Sequence, residues 1–326
     1  MQLQDRRAFV TALAAGLATL PSIGRGQPAP WPSRPVKLIV PATAGGASDR
    51  LGRMLAPDFL KALGQPLVVE NRAGAGSTLG TAAVASAAPD GYTLLLSGVF
   101  NSIGAGLYKL KYDFLKDFIQ VAPLVFGPNV LVARPEFPAD NLAQLVARAK
   151  AEPGAINFAS GGVGTSGHLT MEMFQHAANI RFTHVAYKGG APALQDVLAG
   201  VTPLMPINQD AALPYIKAGK LKALAVSSAQ RNPAYPNVPT FVEAGYGDVV
   251  AMSWGGVAAL RGTPPPVVDK LRAVVQAALQ RAEIRASLEA DGWVVPSMAP
   301  AEFDAFVRSD TARMLRIIRD SNISAD

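Results

Sequence analysis

The chain has no cysteine, which excludes disulfides, thiolate metal sites and a cysteine nucleophile at once. After its first twenty residues it has no apolar run approaching the roughly 20 residues that a membrane span requires. Any membrane contact therefore passes through partners. Clustered charge is missing too. The 30 Lys and Arg exceed the 24 Asp and Glu for a net +6, but Lys109, Lys111, Lys116, Arg134, Lys217, Lys220 and Lys222 are scattered. Aromatics make up only 7%, so no basic stripe with stacking rings supports nucleic-acid binding. A mild positive charge of this kind helps to draw in small anions.

What is plentiful is hydrophobic residue, 49% of the chain, together with 30 glycines and 26 prolines, as in a well-packed α/β protein. The first 26 residues read as an export signal. Arg6 and Arg7 precede the apolar run Phe9 to Leu20, Pro21 breaks it, and Gly24-Arg25-Gly26 offers a small-x-small cleavage site. Arg6-Arg7-Ala8-Phe9 resembles a twin-arginine signal without the Ser or Thr that usually precedes the pair, so that route and the general secretory route both stay open. Three Arg and one Asp of the signal account for two of the six net charges. The remainder exceeds a typical single domain, and two domains are expected.

Three glycine-rich turns stand out: Pro41-Ala-Thr-Ala-Gly-Gly-Ala-Ser-Asp49, Ser160-Gly-Gly-Val-Gly-Thr-Ser-Gly-His168 and Tyr187-Lys-Gly-Gly-Ala-Pro192. Each follows a strand-like run and opens a helix-like one. Such a turn aims free backbone N–H groups and the positive end of a helix dipole at one spot, making an anion site without fixed side-chain charge. The first turn lies far from the others in sequence, which suggests two jaws closing on one small anion.

The wider pattern alternates strands and helices. Strands are predicted at 36–40, 67–70, 92–97, 129–133, 156–159, 183–187, 221–226 and 251–259. Helices are predicted at 48–63, 77–87, 141–151 (capped by Asp140), 167–178, 192–199, 265–281, 283–291 and 300–321. Pro57 should kink or split the first helix. Alternation of this kind argues for parallel sheets with ligands at the strand C-terminal ends.

Arg34-Pro-Val-Lys-Leu-Ile-Val-Pro41 with Gly45, Gly46 and Asp49 resembles the start of the substrate-binding proteins of tripartite tricarboxylate transporters, the Bug or TctC type. The resemblance continues through Gly64-Gln-Pro-Leu-Val-Val-Glu-Asn-Arg-Ala-Gly-Ala-Gly76, Ala88-Pro-Asp-Gly-Tyr-Thr-Leu-Leu95, Ser166-Gly-His-Leu169, Tyr187-Lys-Gly-Gly-Ala-Pro-Ala193, Ile216-Lys-Ala-Gly-Lys-Leu221 and Val238-Pro-Thr240. It runs in order from Trp31 to the C-terminal helix. It implies a periplasmic binding protein of Venus-flytrap architecture, two α/β domains each with a central, mostly parallel sheet flanked by helices. The domains are expected at 27–130 plus 252–326 and at 131–251, with crossings near Pro128–Arg134 and Val249–Trp254.

The resemblance also implies the site. Its first jaw maps onto Ala42, Thr43, Gly45, Gly46, Ser48 and Asp49. Its second maps onto Gly164, Thr165 and Ser166, with Gly189, Gly190 and Ala191 beside it; Asn101 and Asn208 follow strands and are expected to line the cleft. The ligand is expected to be a small carboxylate, delivered to the large and small membrane subunits of the transporter by a monomeric chain that uses no cofactor. A ligand sensor of the same fold is the alternative role. Ala42, Thr43 and Ala44 stand where the family carries an aromatic and prolines, and Pro203 and Ile207 replace usual acids, so the substrate preference is expected to differ.

Other motifs have plainer readings. Gly74-x-Gly76-x-x-x-Gly80 mimics a dinucleotide fingerprint, but Ser97-Gly98-Val99 lacks the acid that should end the next strand. Close helix–strand packing explains those glycines better. His168, Glu172 and His176 share one helix face, yet the outer pair spans about 12 Å, too far for one metal ion. Gly164-Thr-Ser-Gly-His is not the Gly-x-Ser-x-Gly elbow of a hydrolase. Asp49, in a first helical turn, reads more readily as a cap than as a substrate contact. Lys188, the one charged side chain of the 187–192 turn, reads as a solvated lysine. No triad, metal set or cofactor loop remains, and the chain is expected not to be an enzyme.

Overall fold

Val36–Val40 (β1) is an apolar run whose Val36, Leu38, Ile39 and Val40 are all buried, and Pro41, which has no N–H for the ladder, ends it. The stretch read as one helix is two, Ala47–Met54 (α1) and Ala56–Leu63 (α2). The break falls at Leu55, and Pro57 occupies the second position of α2, where no helical N–H is needed. Gly64 closes α2 with φ 67°, a left-handed conformation open to glycine. The structure, a computed structural model, describes residues 30–325, so the expected signal at 1–26 lies outside the described residues.

Leu67–Asn71 (β2), Thr78–Ala85 (α3), Thr93–Gly98 (β3), Val99–Leu107 (α4), Phe114–Asp117 (α5) and Phe118–Ala133 (β4) follow. Next come Leu142–Ala151 (α6), Asn157–Ser160 (β5), Ser166–Ala178 (α7), Thr183–Ala186 (β6), Gly190–Ala199 (α8), Leu204–Asn208 (β7), Gln209–Lys217 (α9) and Lys222–Val226 (β8). Met252–Leu260 (β9), Pro265–Gln280 (α10), Ala282–Ala290 (α11) and Pro300–Asp320 (α12) complete the order. The cap of α6 is Asn141, whose Oδ1 accepts from Gln144 N–H at 2.9 Å. Asp140, the expected cap, donates its own N–H to the Gln144 side chain.

The sheet order is β2-β1-β3-β9-β4-β7-β5-β6, with β8 also paired to β4. Pairing is parallel in the outer strands, β1 with β2 and β3, and β5 with β6 and β7. It is antiparallel around β4 and β9. β4 holds the arrangement together. Its 16 residues run roughly 50 Å, pairing with β9 from Phe118 to Pro128 and with β7 and β8 from Asn129 to Ala133. From Arg34 onward the chain packs as one unit.

Distinct apolar clusters back the two stretches of sheet. Leu95, Phe126, Trp254 and Phe303 belong to one, and Phe158, Phe174 and Phe241 to another. Gly256 allows a close approach: a Cβ there would lie 2.7 Å from the Phe303 ring and 3.0 Å from the Ala122 carbonyl oxygen. Gly80 likewise lets α3 sit on the end of β1, since a Cβ would meet Pro41 at 2.8 Å. That is the packing role expected of the Gly74–Gly80 motif.

Candidate functional site

Five of the helices that follow the C-terminal ends of strands open toward one cavity of about 990 Å³. The first turns of α1 (Ala47, Ser48), α4 (Val99, Phe100), α7 (Ser166, Gly167), α8 (Gly190, Ala191) and α9 (Asp210) line it. First-turn N–H groups lack intrahelical partners, and each dipole adds positive potential, so five helices concentrate donors on one space.

Side chains behind the turns hold them in place. The buried Asp49 carboxylate accepts from Gly45 N–H at 2.9 Å and pairs with Arg53 at 3.0 Å. The Arg53 hydrogen bond, then the Gly45 bond, lowers its pKa, so it stays ionised and stiffens the first turn. In the second turn, His168 Nδ1 accepts from Gly164 N–H at 3.1 Å, and Thr165 Oγ1 accepts from His168 N–H as the cap of α7. Ser160 Oγ accepts from Gly162 N–H and lies 2.7 Å from His184 Nε2. The rings of His168 and His184 stack. Burial, then the His168 charge, lowers the His184 pKa to about 4, so His184 is neutral near pH 7. The third turn docks on the second through Gly189 N–H, which donates to the Gly161 carbonyl at 3.0 Å.

Uncharged polar groups line the floor where β4, β7 and β9 meet. Ser166 Oγ lies 3.3 Å from both Asn129 Oδ1 and Ser253 Oγ, and Ser253 Oγ donates to Asn208 Oδ1 at 3.1 Å. Asn129 is itself fixed, donating Nδ2 to Thr170 Oγ1 and its N–H to Ser227 Oγ. Charge is sparse in this wall: Lys188 is the cation and Asp210 the acid. Asp210 meets Arg50 of α1 at 3.3 Å, and Arg50 also reaches Asp291 at 3.6 Å. Burial raises the Asp210 pKa, and Arg50 works against that rise.

Of the residues expected at the site, Ala42, Thr43, Gly46, Ser48, Gly164, Thr165, Ser166, Gly189, Gly190, Ala191 and Asn208 share this cavity. Gly45, Asp49 and Asn101 do not line it. The first two form the brace just described, and Asn101 caps α4, its Oδ1 accepting from Gly98 N–H while Nδ2 donates to Thr81. Sequence reasoning missed Ser97, Asn129 and Ser253, along with the apolar lining from Phe100 to Tyr108. Asn129 and Ser253 fall inside the two expected crossings, which was the available signal. Lys188, read as solvated, lines the cavity.

The geometry does not assemble a hydrolase. The neighbours of Ser166 Oγ are carboxamide and hydroxyl groups, while His168 faces Gly164 N–H and Glu172. Among the described residues no three His, Cys, Asp or Glu side chains gather as a metal set. Fold and site together define an α/β protein built to bind a small ligand.

Residues 51–323 match the family model described as the tripartite tricarboxylate transporter family receptor. BugT of Bordetella pertussis is 37% identical over 294 residues, covering 89% of this chain and 90% of BugT. The solved periplasmic binding protein BugD is 35% identical, with a TM-score of 0.78 over 90% of this chain and 99% of its own. MatC from Rhodopseudomonas palustris, solved with bound malate, is 34% identical, with a TM-score of 0.78 over 88% of this chain and 100% of its own. The chain belongs to the tripartite tricarboxylate transporter receptor family. That family consists of solute receptors, not enzymes.

Proposed function

We propose that this protein is a periplasmic receptor that captures a small carboxylate in the cavity and presents it to the large and small membrane subunits of a tripartite tricarboxylate transporter. The observation that carries the reading is the convergence of five helix N-termini and three glycine turns on a space floored by hydroxyls and carboxamides. A carboxylate there receives backbone hydrogen bonds and dipole stabilisation. The malate in MatC supports a carboxylate as ligand. In this reading Thr43, Ser48, Thr165 and Ser166 donate to the ligand, and Lys188 adds attraction from the rim. Residues 27–130 with 252–326 form one jaw and 131–251 the other, hinged where β4 and β9 run side by side. The N-terminal signal directs export, and the exported chain works as a monomer.

The test is a thermal-unfolding screen of the purified protein against mono-, di- and tricarboxylates, aromatic acids and acidic amino acids. A ligand that binds only the folded state raises the melting temperature by mass action. At least one carboxylate is expected to do so, to give a saturable isotherm, and to be recovered chemically unchanged. No shift from any acid would refute the reading.

A further inference from the structure

Phe100, Ile103, Leu107 and Tyr108 recur at the spacing of one helical face along α4 and its C-cap, and all four line the cavity. Ile103 is buried, while Phe100, Leu107 and Tyr108 are half-buried. This wall abuts the anion turn directly. A Cβ at Gly164 would fall 2.1 Å from Leu107 Cδ1 and 3.5 Å from Ile103 Cγ2. A carboxylate held by the second turn therefore has its carbon skeleton against α4. The α4 wall offers side-chain carbon along its length, with the Tyr108 hydroxyl at its far end.

The charges set a limit on the other end of the ligand. Lys188 is the cation of the cavity wall, and Asp210 is its acid. Arg50, which pairs with Asp210 from outside the wall, is already shared with Asp291. A second carboxylate pointing along α4 would exchange water for aliphatic and aromatic carbon, without a pairing cation. An apolar body in the same place is stabilised by the area it removes from water.

Resting on the carboxylate reading above, we propose that the cavity selects a monocarboxylate with an aromatic or comparably broad apolar body. The carboxylate sits at the glycine turns and the body lies on Phe100, Ile103, Leu107 and Tyr108. α4 is then the specificity element of the site.

Titration calorimetry on the purified protein tests this with benzoate, phenylacetate, adipate, malate and acetate, and with benzyl alcohol as an uncharged control. Benzoate or phenylacetate is expected to bind at least tenfold tighter than adipate, malate, acetate and benzyl alcohol. Leu107→Asn is expected to weaken the aryl acid at least tenfold, and Leu107→Met to leave it within threefold. Adipate or malate binding as tightly as the aryl acids would overturn this inference and leave the carboxylate receptor standing. Failure of every acid would overturn both. Should Leu107→Asn not fold, the ranking of ligands by the unaltered protein still decides. An unchanged aryl-acid affinity in folded Leu107→Asn would remove α4 from the assignment.

Discussion

His168 and His184 stack with ring centroids 3.9 Å apart and planes 13° apart, and each ring holds a different end of the 160–166 turn. One end is Gly164 N–H on His168; the other is Ser160 Oγ beside His184. Phe158 also stacks on His184, at 4.8 Å, and lies 6.3 Å from His168, so the imidazole pair belongs to the core as well as to the turn.

The pair makes stability depend on pH. His184 titrates near 4 in the fold against 6.5 ordinarily, so the unfolded chain binds the proton first as pH falls. The contribution is complete above pH 6.5, shrinks between 6.5 and 4, and levels off below. His168 pushes in this direction and Glu172 opposes it. Discounted for the ring's partial exposure, the loss is on the order of 1–2 kcal/mol. Melting temperatures from pH 7 to 4 should fall more steeply for the unaltered protein than for His184→Gln. Parallel curves would show that His184 does not titrate in this window.

Gly190 allows a clean test of the backbone donors. It is the first residue of α8, a position that tolerates proline, and a Cβ there meets nothing within 4 Å. Gly190→Ala keeps the N–H and should bind the best carboxylate like the unaltered protein. Gly190→Pro deletes that donor with the helix intact and should weaken binding about tenfold, the loss expected for one charge-assisted hydrogen bond. Equal isotherms for the two variants would take this amide out of the grip.

Arg50 ties α1 to Asp210 at the start of α9 and to Asp291 after α11. Because Arg50 is 57% exposed, its removal should cost little, about threefold in ligand affinity for Arg50→Ala. The gap between variant and parent should narrow in 0.5 M salt, as screening weakens the pair. Small-angle scattering should show a larger ligand-free radius for the variant if the ion pair holds the jaws together. An unchanged radius would make it a local contact only.

At the centre of the sheet, Gly256→Ala drives a methyl into the Phe303 ring. The expected cost is about 1–3 kcal/mol, seen as a lower urea midpoint at constant slope. Adding Phe303→Leu should recover part of it, because the two changes share one space. Strict additivity of the two losses would place the strain elsewhere.

Much of this architecture was legible because its signals are local. β1 ends at a proline, α2 at Gly64, and the glycine turns lead into helices near the places expected. Among the elements that were not read, three have a clear physical reason. α4 carries Gly104 and Gly106, poor helix formers; packing supplies what propensity lacks, with a Cβ at Gly106 only 2.7 Å from Ile318 and Ser102 bonded to Thr311. The first half of β4 contains Pro123, Gly127 and Pro128, which break a strand pattern, and its register to β9 shifts around Val121 and Leu124. α9 holds Pro214 inside it and has no side-chain cap at its start. The polar floor was missed for a related cause. Asn129, Ser166 and Ser253 are far apart in the chain, and only the pairing of β4 with β9 and β7 brings them together.

A grip built from first-turn amides has an evolutionary consequence. Main-chain N–H groups are present in every residue but proline, so point mutation seldom erases the selection for negative charge. Side chains along α4 can drift without loss of that selection, and new ligand preferences can accumulate there while the anion contact stays intact. Randomising four codons of one helix would accordingly be a small enough library from which to evolve sensors for different acids.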